Sequence, residues 1–204
     1  KIALPQDDYD CAALLDQWMM AWSIDHVYTV CPAYWDVLYP NCHRLGKLRL
    51  GFTGYIADTW IDQWKQPRRH SDRPLDVVYR ASKLPANFGA LGQLKSEIVA
   101  RFEKVLPPGA LATDLSVDAR RTIPGKAWHD FLESSRACLV TPSGSSLLDP
   151  VGAYRASVDN YARAHPTADY SEISKFCFPG EDYRYKFTAI SPRNIEAALA
   201  ETVQ

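Results

Sequence analysis

The chain has 204 residues, of which 47% are hydrophobic and 23% are charged, and its formal net charge at pH 7 is -1. This length fits one large domain or two small ones, and the apolar fraction is that of an ordinary globular protein. Because the net charge is close to zero, we expect no nucleic acid as a partner. The sequence contains no window with the apolar length that a transmembrane segment needs.

The cysteines predict where the protein resides. They are odd in number, widely spaced and free of C-x-x-C pairs: Cys11, Cys31, Cys42, Cys138 and Cys177. Their spacing matches no zinc pattern, so we expect free, mostly buried thiols and no metal site. The N-terminus has too few apolar residues for a signal peptide. Together these features predict a cytoplasmic protein, and they leave peripheral association with the inner membrane open.

The first part of the chain alternates short strands with helical segments. Strands are predicted at Ile2 to Leu4, Val27 to Val30 and Leu48 to Phe52, each rich in aliphatic or aromatic residues. Between the first two strands, apolar residues from Leu14 to Trp22 repeat at helical spacing. The segment from Asp58 to Pro74 is rich in Trp and charge, and we interpret it as a connection.

The same alternation returns after Pro74. Asp76 to Tyr79, Leu111 to Leu115 and Cys138 to Val140 are predicted strands. The segment from Gly89 to Val105 carries apolar residues on one side of a helix and is followed by Pro-Pro-Gly. Further helices are predicted at Lys126 to Ser135, at Pro150 to Arg163 and from Ser191 onward. Thr141 to Ser146 is a predicted loop, and Pro166 to Thr188 is predicted to be irregular.

This order of elements predicts an α/β protein with two Rossmann-like halves, each a parallel sheet flanked by helices. In such sheets, ligands bind outside the carboxyl ends of the strands. We therefore expect the site residues in the segments that follow each strand.

The start of the last helix is the first candidate anion site. Ser191 suits the N-cap and Pro192 the first helical position, so the helix start presents backbone N–H groups and the positive end of the dipole. Arg193 in the first turn can pair with a phosphate, and Glu196 can accept hydrogen bonds from the two hydroxyls of a ribose. The alternative is a capped surface helix with an Arg–Glu ion pair.

Two further segments are candidates for the same ligand. The loop residues Ser143, Gly144, Ser145 and Ser146 follow a buried strand and can form an anion-binding nest, with Asp149 just beyond. The alternative is an ordinary turn, because Ser and Gly are common turn residues.

Gly89 and Gly92 open a helix and permit a close backbone approach, although they do not complete a dinucleotide fingerprint. Arg80 ends the preceding strand and is expected to face the same crevice. Its alternative is a surface cation with a packed stem.

Acidic and aromatic residues follow the strands of the first part. Asp7 and Asp8 can act as a general base that deprotonates an acceptor hydroxyl, and the sequence leaves open whether the base is Asp7, Asp8 or a residue outside this chain. The alternative is that Asp8 or Asp10 caps the following helix. Tyr9 and Tyr55 lie at similar positions and are candidate acceptor-side residues, since an aromatic ring can serve as a platform for a sugar.

Several of these segments occur in an order that is typical of one group of enzymes. They are Tyr79-Arg80, Gly89-x-x-Gly92, Trp128-x-x-Phe131-Leu132, Thr141 to Ser146 with Asp149, and Ser191-Pro192-Arg193-x-x-Glu196-Ala197. With the front part from Leu4 to Tyr55, they make the chain resemble bacterial GT-B glycosyltransferases of the family-1-like capsule or spore-coat group. The resemblance covers nearly the whole chain.

The resemblance implies a glycosyltransferase that moves a sugar from a nucleotide sugar to a glycan or surface-polymer acceptor. Residues 1–72 would be the remainder of an N-terminal acceptor-side domain plus a linker, and residues 73–204 most of a C-terminal nucleotide-sugar-binding domain. Arg193 would meet the diphosphate, Glu196 the ribose, and Ser143 to Ser146 the phosphate or the sugar. The group works without a bound metal, and no cofactor besides the donor substrate is expected.

The ends of the chain suggest a fragment. The sequence begins without Met and closes inside an apparent helix with no stop signal. Relative to the resembling group, a first strand–helix unit and the elements after the last helix are expected to be missing, so the fold would be incomplete at both ends and the fragment itself could be inactive. Two other functions stay open: a non-catalytic nucleotide-binding module on the same fold, and a nucleotide-sugar epimerase.

Overall fold

The computed structural model describes residues 1–54, 56–64 and 66–204, so the predicted acceptor-side residue Tyr55 lies outside the described residues. The chain divides into two units that interleave along the sequence. The first contains Lys1–Thr53, Pro85–Gly92 and Ser143–Ala189, and the second contains Gly54–Leu84, Gln93–Pro142 and Ile190–Gln204.

A parallel sheet organises the first unit. Its strands are β1 (Ile2–Ala3), β2 (His26–Thr29) and β3 (Leu48–Leu50), in the order β1-β2-β3. Ala3 pairs with Val27, and Val27 pairs with Leu48. The predicted strands are thus confirmed, although each ends one or two residues earlier than expected. Short helices follow the strands: α1 (Ala12–Ala21), α2 (Trp35–Leu38) and α3 (Pro40–Arg44).

The central strand and the three short helices enclose the core of this unit. Val27, Leu38 and Tyr39 are completely buried, as are Cys42 and Phe187. Phe187 comes from far along the chain and stacks on Tyr9, with ring centroids 5.9 Å apart. This packing explains why the segment Ser143–Ala189 belongs to the first unit.

Two predictions for the segment Ser143–Ala189 are wrong. Ser143–Ser145, expected to be a loop, forms strand β7, which pairs in antiparallel fashion with β8 (Phe187–Ala189). Pro166 to Thr188, expected to be irregular, contains helix α8 (Tyr170–Cys177), which packs beside α7 (Ala153–Ala164). Asp169 caps α8, because its carboxylate accepts a hydrogen bond from the Glu172 backbone N–H at 2.9 Å.

A second parallel sheet organises the other unit. Its strands are β4 (Leu75–Arg80), β5 (Thr113–Ser116) and β6 (Ser135–Cys138), in the order β5-β4-β6. Strand β4 lies in the middle, and its residues Val78 and Tyr79 are fully buried. The predicted strand at Cys138 to Val140 is wrong in its bounds, because the ladder with β4 runs from Ser135 to Cys138.

Helices α4 (Asp58–Gln63), α6 (Lys126–Glu133) and α9 (Pro192–Leu199) belong to this second unit. Helix α5 (Gly89–Val105) begins in the first unit and continues in the second from Gln93. Arg73 holds the end of α9: its buried guanidinium donates to the carbonyl oxygens of Ala200 and Ser135, both at 2.8 Å. The chain is therefore an α/β protein with parallel sheets flanked by helices, which is compatible with a Rossmann-like fold.

The two units are not separated at the predicted boundary between residues 72 and 73. Pro85–Gly92 and Ser143–Ala189 belong with the N-terminal segment, since Phe88, Tyr185 and Phe187 pack into its core. The assignment of residues 1–72 to an acceptor and of 73–204 to a donor stays a prediction.

The cysteines are free thiols, as predicted, and all except Cys11 are buried. Burial raises the pKa of the Cys31 thiol to about 12 and that of Cys138 to about 11, so both remain protonated at neutral pH. Among the described residues, no helix combines the length and the apolar character required to cross a membrane.

Candidate functional site

A cavity of about 430 Å³ lies in the second unit. Among the residues that line it are three arginines, two carboxylates and an indole: Arg80, Arg121, Arg193, Asp118, Glu196 and Trp128. We call it the arginine cavity. Its volume falls in the range of pockets that enclose small organic ligands, and its charged groups favour a ligand with an anionic part.

The topology of the sheet explains where this cavity forms. Strand β4 ends at Arg80, with β5 on one side and β6 on the other. The connection after β4 therefore leads to one side of this strand, and the next connection leads to the opposite side. In open parallel sheets, ligands bind at the carboxyl ends of the strands where the connections reverse in this way. The loop after β5 contributes Asp118 and Arg121, and the start of α9 contributes Ser191 to Arg193.

Helix α9 begins as the sequence predicts. Ser191 occupies the N-cap with extended backbone angles, φ -69° and ψ 138°, and Pro192 is the first helical residue. The Ser191 side chain makes no capping hydrogen bond. Because Ser191, Pro192 and Arg193 all line the cavity, the positive end of the helix dipole borders it.

Arg193 is held by aromatic rings. Its guanidinium carbon lies 5.3 Å from the centroid of Tyr79 and 5.4 Å from that of Trp128. Burial raises the pKa of Tyr79, against the opposing influence of Thr141 and Arg193. The Nε of Arg193 is buried and has no hydrogen-bond partner among the described residues. The cation is thus fixed in position with a donor group still unused.

Glu196 is held by an indole. The Trp128 Nε1–H donates to Glu196 Oε2 at 2.8 Å, which joins the first turn of α6 to α9. Glu196 lies on the same side of α9 as Arg193, and both line the cavity. The alternative of a surface helix with an Arg–Glu ion pair does not describe this arrangement, since aromatic partners hold both side chains.

Arg80 lies in the cavity wall but is already paired. Its guanidinium donates to Asp114 Oδ2 at 2.6 Å, and Asp114 Oδ1 accepts from Arg121 at 3.0 Å. Burial opposes ionisation of Asp114, but the hydrogen bond and charge of Arg80, together with Arg121, outweigh it and lower its pKa. Arg80 therefore completes a charge network in the wall, and its predicted contact with a donor stays a prediction.

The serine segment has hydrogen-bond partners within the first unit. Ser145 and Ser146 are completely buried. The Ser145 hydroxyl bonds with the backbone of Leu147 at 2.9 Å, and the Ser146 hydroxyl donates to Asp182 at 2.6 Å. Gly144 has φ +127°, and a Cβ there would overlap the carbonyl oxygen of Phe187. The glycine thus permits the close pairing of β7 with β8.

The start of α5 is also occupied by the protein itself. The Asp182 carboxylate accepts from the Ala90 N–H at 3.2 Å and from the hydroxyls of Ser146 and Tyr170. Gly89 has φ +66°, and a Cβ there would meet Ser146 and Asp182, while Gly92 is buried in the first turn. Gly89 permits the close approach of Asp182, and the predicted contact of Gly89 and Gly92 with a ligand stays a prediction.

The two candidate bases differ in exposure. Asp8 is 2% exposed, and its carboxylate accepts hydrogen bonds from Thr29 and Tyr39, both at 2.6 Å. Burial raises its pKa, against these hydrogen bonds. Asp7 is exposed and accepts from the buried Tyr9 hydroxyl at 2.7 Å. Neither Asp8 nor Asp10 caps α1, whose N-cap residue is Cys11 and which has no side-chain capping hydrogen bond.

The structure brings together only part of the predicted set. Arg80, Arg193 and Glu196 line one cavity of the second unit, whereas Asp7, Asp8, Tyr9, Gly89, Gly92 and Ser143 to Ser146 belong to the first unit. Trp128, Asp118 and Arg121 also line the cavity, although they were not among the predicted site residues. Asp118 and Arg121 could have been found, because they follow strand β5 at its carboxyl end. Trp128 lies on a helix, and nothing in its spacing separates it from a core residue.

The described residues contain no group of three His, Cys, Asp or Glu side chains placed to hold a metal ion. Comparison with protein-family models, with curated proteins and with solved structures finds no match for this chain.

Proposed function

We propose that this chain belongs to a GT-B glycosyltransferase that uses a nucleoside diphosphate sugar, with the arginine cavity as the donor's nucleotide site. The observation that carries the proposal is that Arg193 and Glu196 lie on the same side of α9, near its start, and both line the cavity. Arg193 lines the cavity at the helix start, held by two aromatic rings, and Glu196 lines it three residues later.

The roles follow from the chemistry of each group. A diphosphate is anionic, and a guanidinium next to the positive end of a helix dipole stabilises it without a metal. Arg121 adds a second cation to the cavity. Its side chain is half-exposed, and its guanidinium is bound to only one oxygen of Asp114, at 3.0 Å. The carboxylate of Glu196 suits the ribose hydroxyls, which are hydrogen-bond donors. As the sugar is transferred, charge develops on the leaving diphosphate, and these cations would stabilise it.

The catalytic base remains assigned to the predicted pair, with Asp7 preferred. An acceptor hydroxyl can reach an exposed carboxylate, whereas both oxygens of Asp8 are enclosed by Thr29 and Tyr39. Tyr9 supports Asp7 by donating a hydrogen bond to it. A glycan or surface polymer remains the proposed acceptor, on the grounds of the sequence resemblance.

A non-catalytic nucleotide-binding module is the second candidate. The observation that favours it is the enclosure of Asp8, which leaves one of the two candidate bases without access to a substrate. This candidate shares the nucleotide site and predicts binding without turnover.

An assay with donor alone separates the candidates. UDP-, GDP-, ADP- and TDP-sugars are incubated with the chain, and the products are separated by chromatography. A transferase that uses water as acceptor is expected to release a nucleoside diphosphate slowly. This release should be abolished in Arg193→Ala and retained in the control Asp159→Ala. Conversion of the sugar without release would indicate an epimerase, and binding without either product would indicate the non-catalytic module.

A further inference from the structure

We infer that Trp128 is a positioning residue that aims Glu196 at a ribose hydroxyl and thereby gives the arginine cavity a preference for ribonucleotides. The inference rests on the function proposed above, since it concerns the same cavity. It assigns a role to a side chain that the sequence marks only as part of a helix motif.

The hydrogen bond between the two residues restricts the carboxylate. Glu196 has a flexible side chain, and its Oε2 is held by the Trp128 indole N–H at 2.8 Å in a half-buried position. Fixing one oxygen restricts the rotation of the side chain before any ligand arrives, so the entropy of ordering is already lost in the free protein. The second oxygen remains an acceptor, and a hydroxyl is a suitable donor for it.

Trp128 also contacts the phosphate-binding cation of the proposal. Its ring lies 5.4 Å from the guanidinium carbon of Arg193, and it packs on Phe131 with centroids 5.6 Å apart. One side chain therefore contacts both Arg193 and Glu196. Phenylalanine in its place would keep a ring face for Arg193 and Phe131 but would remove the N–H, so the two contributions can be separated experimentally.

The test is a double-mutant cycle read out by calorimetry. Wild type, Trp128→Phe, Glu196→Ala and the double variant are titrated with UDP, GDP, ADP and CDP and with their 2′,3′-dideoxy counterparts. Trp128→Phe is expected to lower the affinity for whichever ribonucleoside diphosphate binds by about 3- to 10-fold, which is the contribution of one ordinary hydrogen bond. The same substitution should change the affinity for the dideoxy form by no more than about twofold. In the Glu196→Ala background it should cause no further loss of affinity.

Trp22→Phe is the matched control, because Trp22 is exposed in the first unit and its replacement should change no affinity. Equal weakening of ribose and dideoxyribose forms by Trp128→Phe, or a full further loss in the Glu196→Ala background, would overturn the positioning role. Absence of binding by the wild type would overturn the proposed function, and this inference with it.

A second measurement does not depend on the folding of Trp128→Phe. In ¹⁵N-labelled wild type, the Trp128 indole N–H signal is assigned by its shift in Glu196→Ala. It should move further when the binding diphosphate is added than with the dideoxy form, which still places its phosphates at Arg193 beside the Trp128 ring. An indole signal that moves equally with both ligands would contradict the proposed role.

Discussion

At the scale of single residues, one carboxylate keeps a buried cation in place beside the cavity. The Arg80 side chain is 9% exposed and would be costly to bury without a partner. Asp114 supplies that partner from the neighbouring strand and also binds the more exposed Arg121. The Arg80 guanidinium further lies over the Phe131 ring, with its carbon 4.5 Å from the centroid. The wall of the cavity thus depends on Asp114.

Replacing Asp114 with Asn should destabilise the protein by about 2 kcal/mol, less than for a fully buried pair because Asp114 is partly exposed. Asp130→Asn is the matched control, since Asp130 pairs with exposed Lys126 and should contribute about 0.5 kcal/mol or less. Urea unfolding of both variants at neutral pH measures the difference. Equal effects of the two substitutions would contradict the role given to Asp114.

The same pair predicts a dependence on pH. The pKa of Asp114 is lowered in the folded protein, so its stabilisation is present above the ordinary value of 3.8 and is lost as the pH falls through the lowered value. The difference in melting temperature between wild type and Asp114→Asn should therefore be full at about pH 6 and should shrink below the ordinary pKa of Asp. A difference that stays constant would show that the charge is not responsible.

At the scale of elements, the start of α5 is stabilised by a residue distant in sequence. Asp182 accepts hydrogen bonds from the Ala90 N–H and from the Ser146 hydroxyl, and it also accepts one from Tyr170. A carboxylate at a helix N-terminus satisfies free N–H groups and interacts favourably with the dipole. Asp182 therefore connects the start of α5, the residue that follows β7 and helix α8 within the first unit.

Asp182→Ala should lower the free energy of unfolding by about 1–3 kcal/mol, through loss of the cap and of the acceptor for the buried Ser146 hydroxyl. The exposed Asp159, in the middle of α7, provides the control substitution Asp159→Ala. Chemical denaturation of the two variants measures the difference. A loss at Asp182 no larger than that at Asp159 would show that the cap contributes little.

Elements with strong local signals could be predicted from the sequence, and those formed by distant contacts could not. Helix α5 has the predicted bounds, because its apolar spacing and the Pro-Pro-Gly that follows are local. Helix α9 begins as predicted, because Ser191 and Pro192 are local signals as well. Strand β7 was missed because Ser-Gly-Ser has the composition of a turn, and only pairing with Phe187–Ala189 makes it a strand.

The candidate site shows the same division. Arg193 and Glu196 could be predicted as neighbours because they lie on one short helix, and the structure places both in one cavity. Trp128 reaches that cavity from α6, and Asp118 and Arg121 reach it from the loop after β5. Asp118 and Arg121 follow a predicted strand at its carboxyl end, which is a local signal, whereas no local pattern connects Trp128 to α9 and only the tertiary structure reveals it.

At the scale of the whole molecule, the two units are interleaved in sequence rather than divided at one boundary. Phe88, Tyr185 and Phe187 pack with the sheet of the N-terminal segment, although they follow the predicted connection. Composition indicates where a chain changes character, but it does not show which core a later aromatic residue will join. The arginine cavity lies wholly in the second unit, so its proposed role as a nucleotide site can be tested without reference to the first.

The most direct test of that role is calorimetric titration of the full chain with UDP, GDP, ADP, CDP and TDP, with Arg193→Ala and Arg69→Ala in parallel. Arg69 is an exposed arginine of the same unit and controls for loss of charge. We predict that one diphosphate binds, that Arg193→Ala weakens it by about 1.5–3 kcal/mol, and that Arg69→Ala leaves it nearly unchanged. Failure of every diphosphate to bind, or equal effects of the two substitutions, would contradict the assignment of the cavity as a nucleotide site.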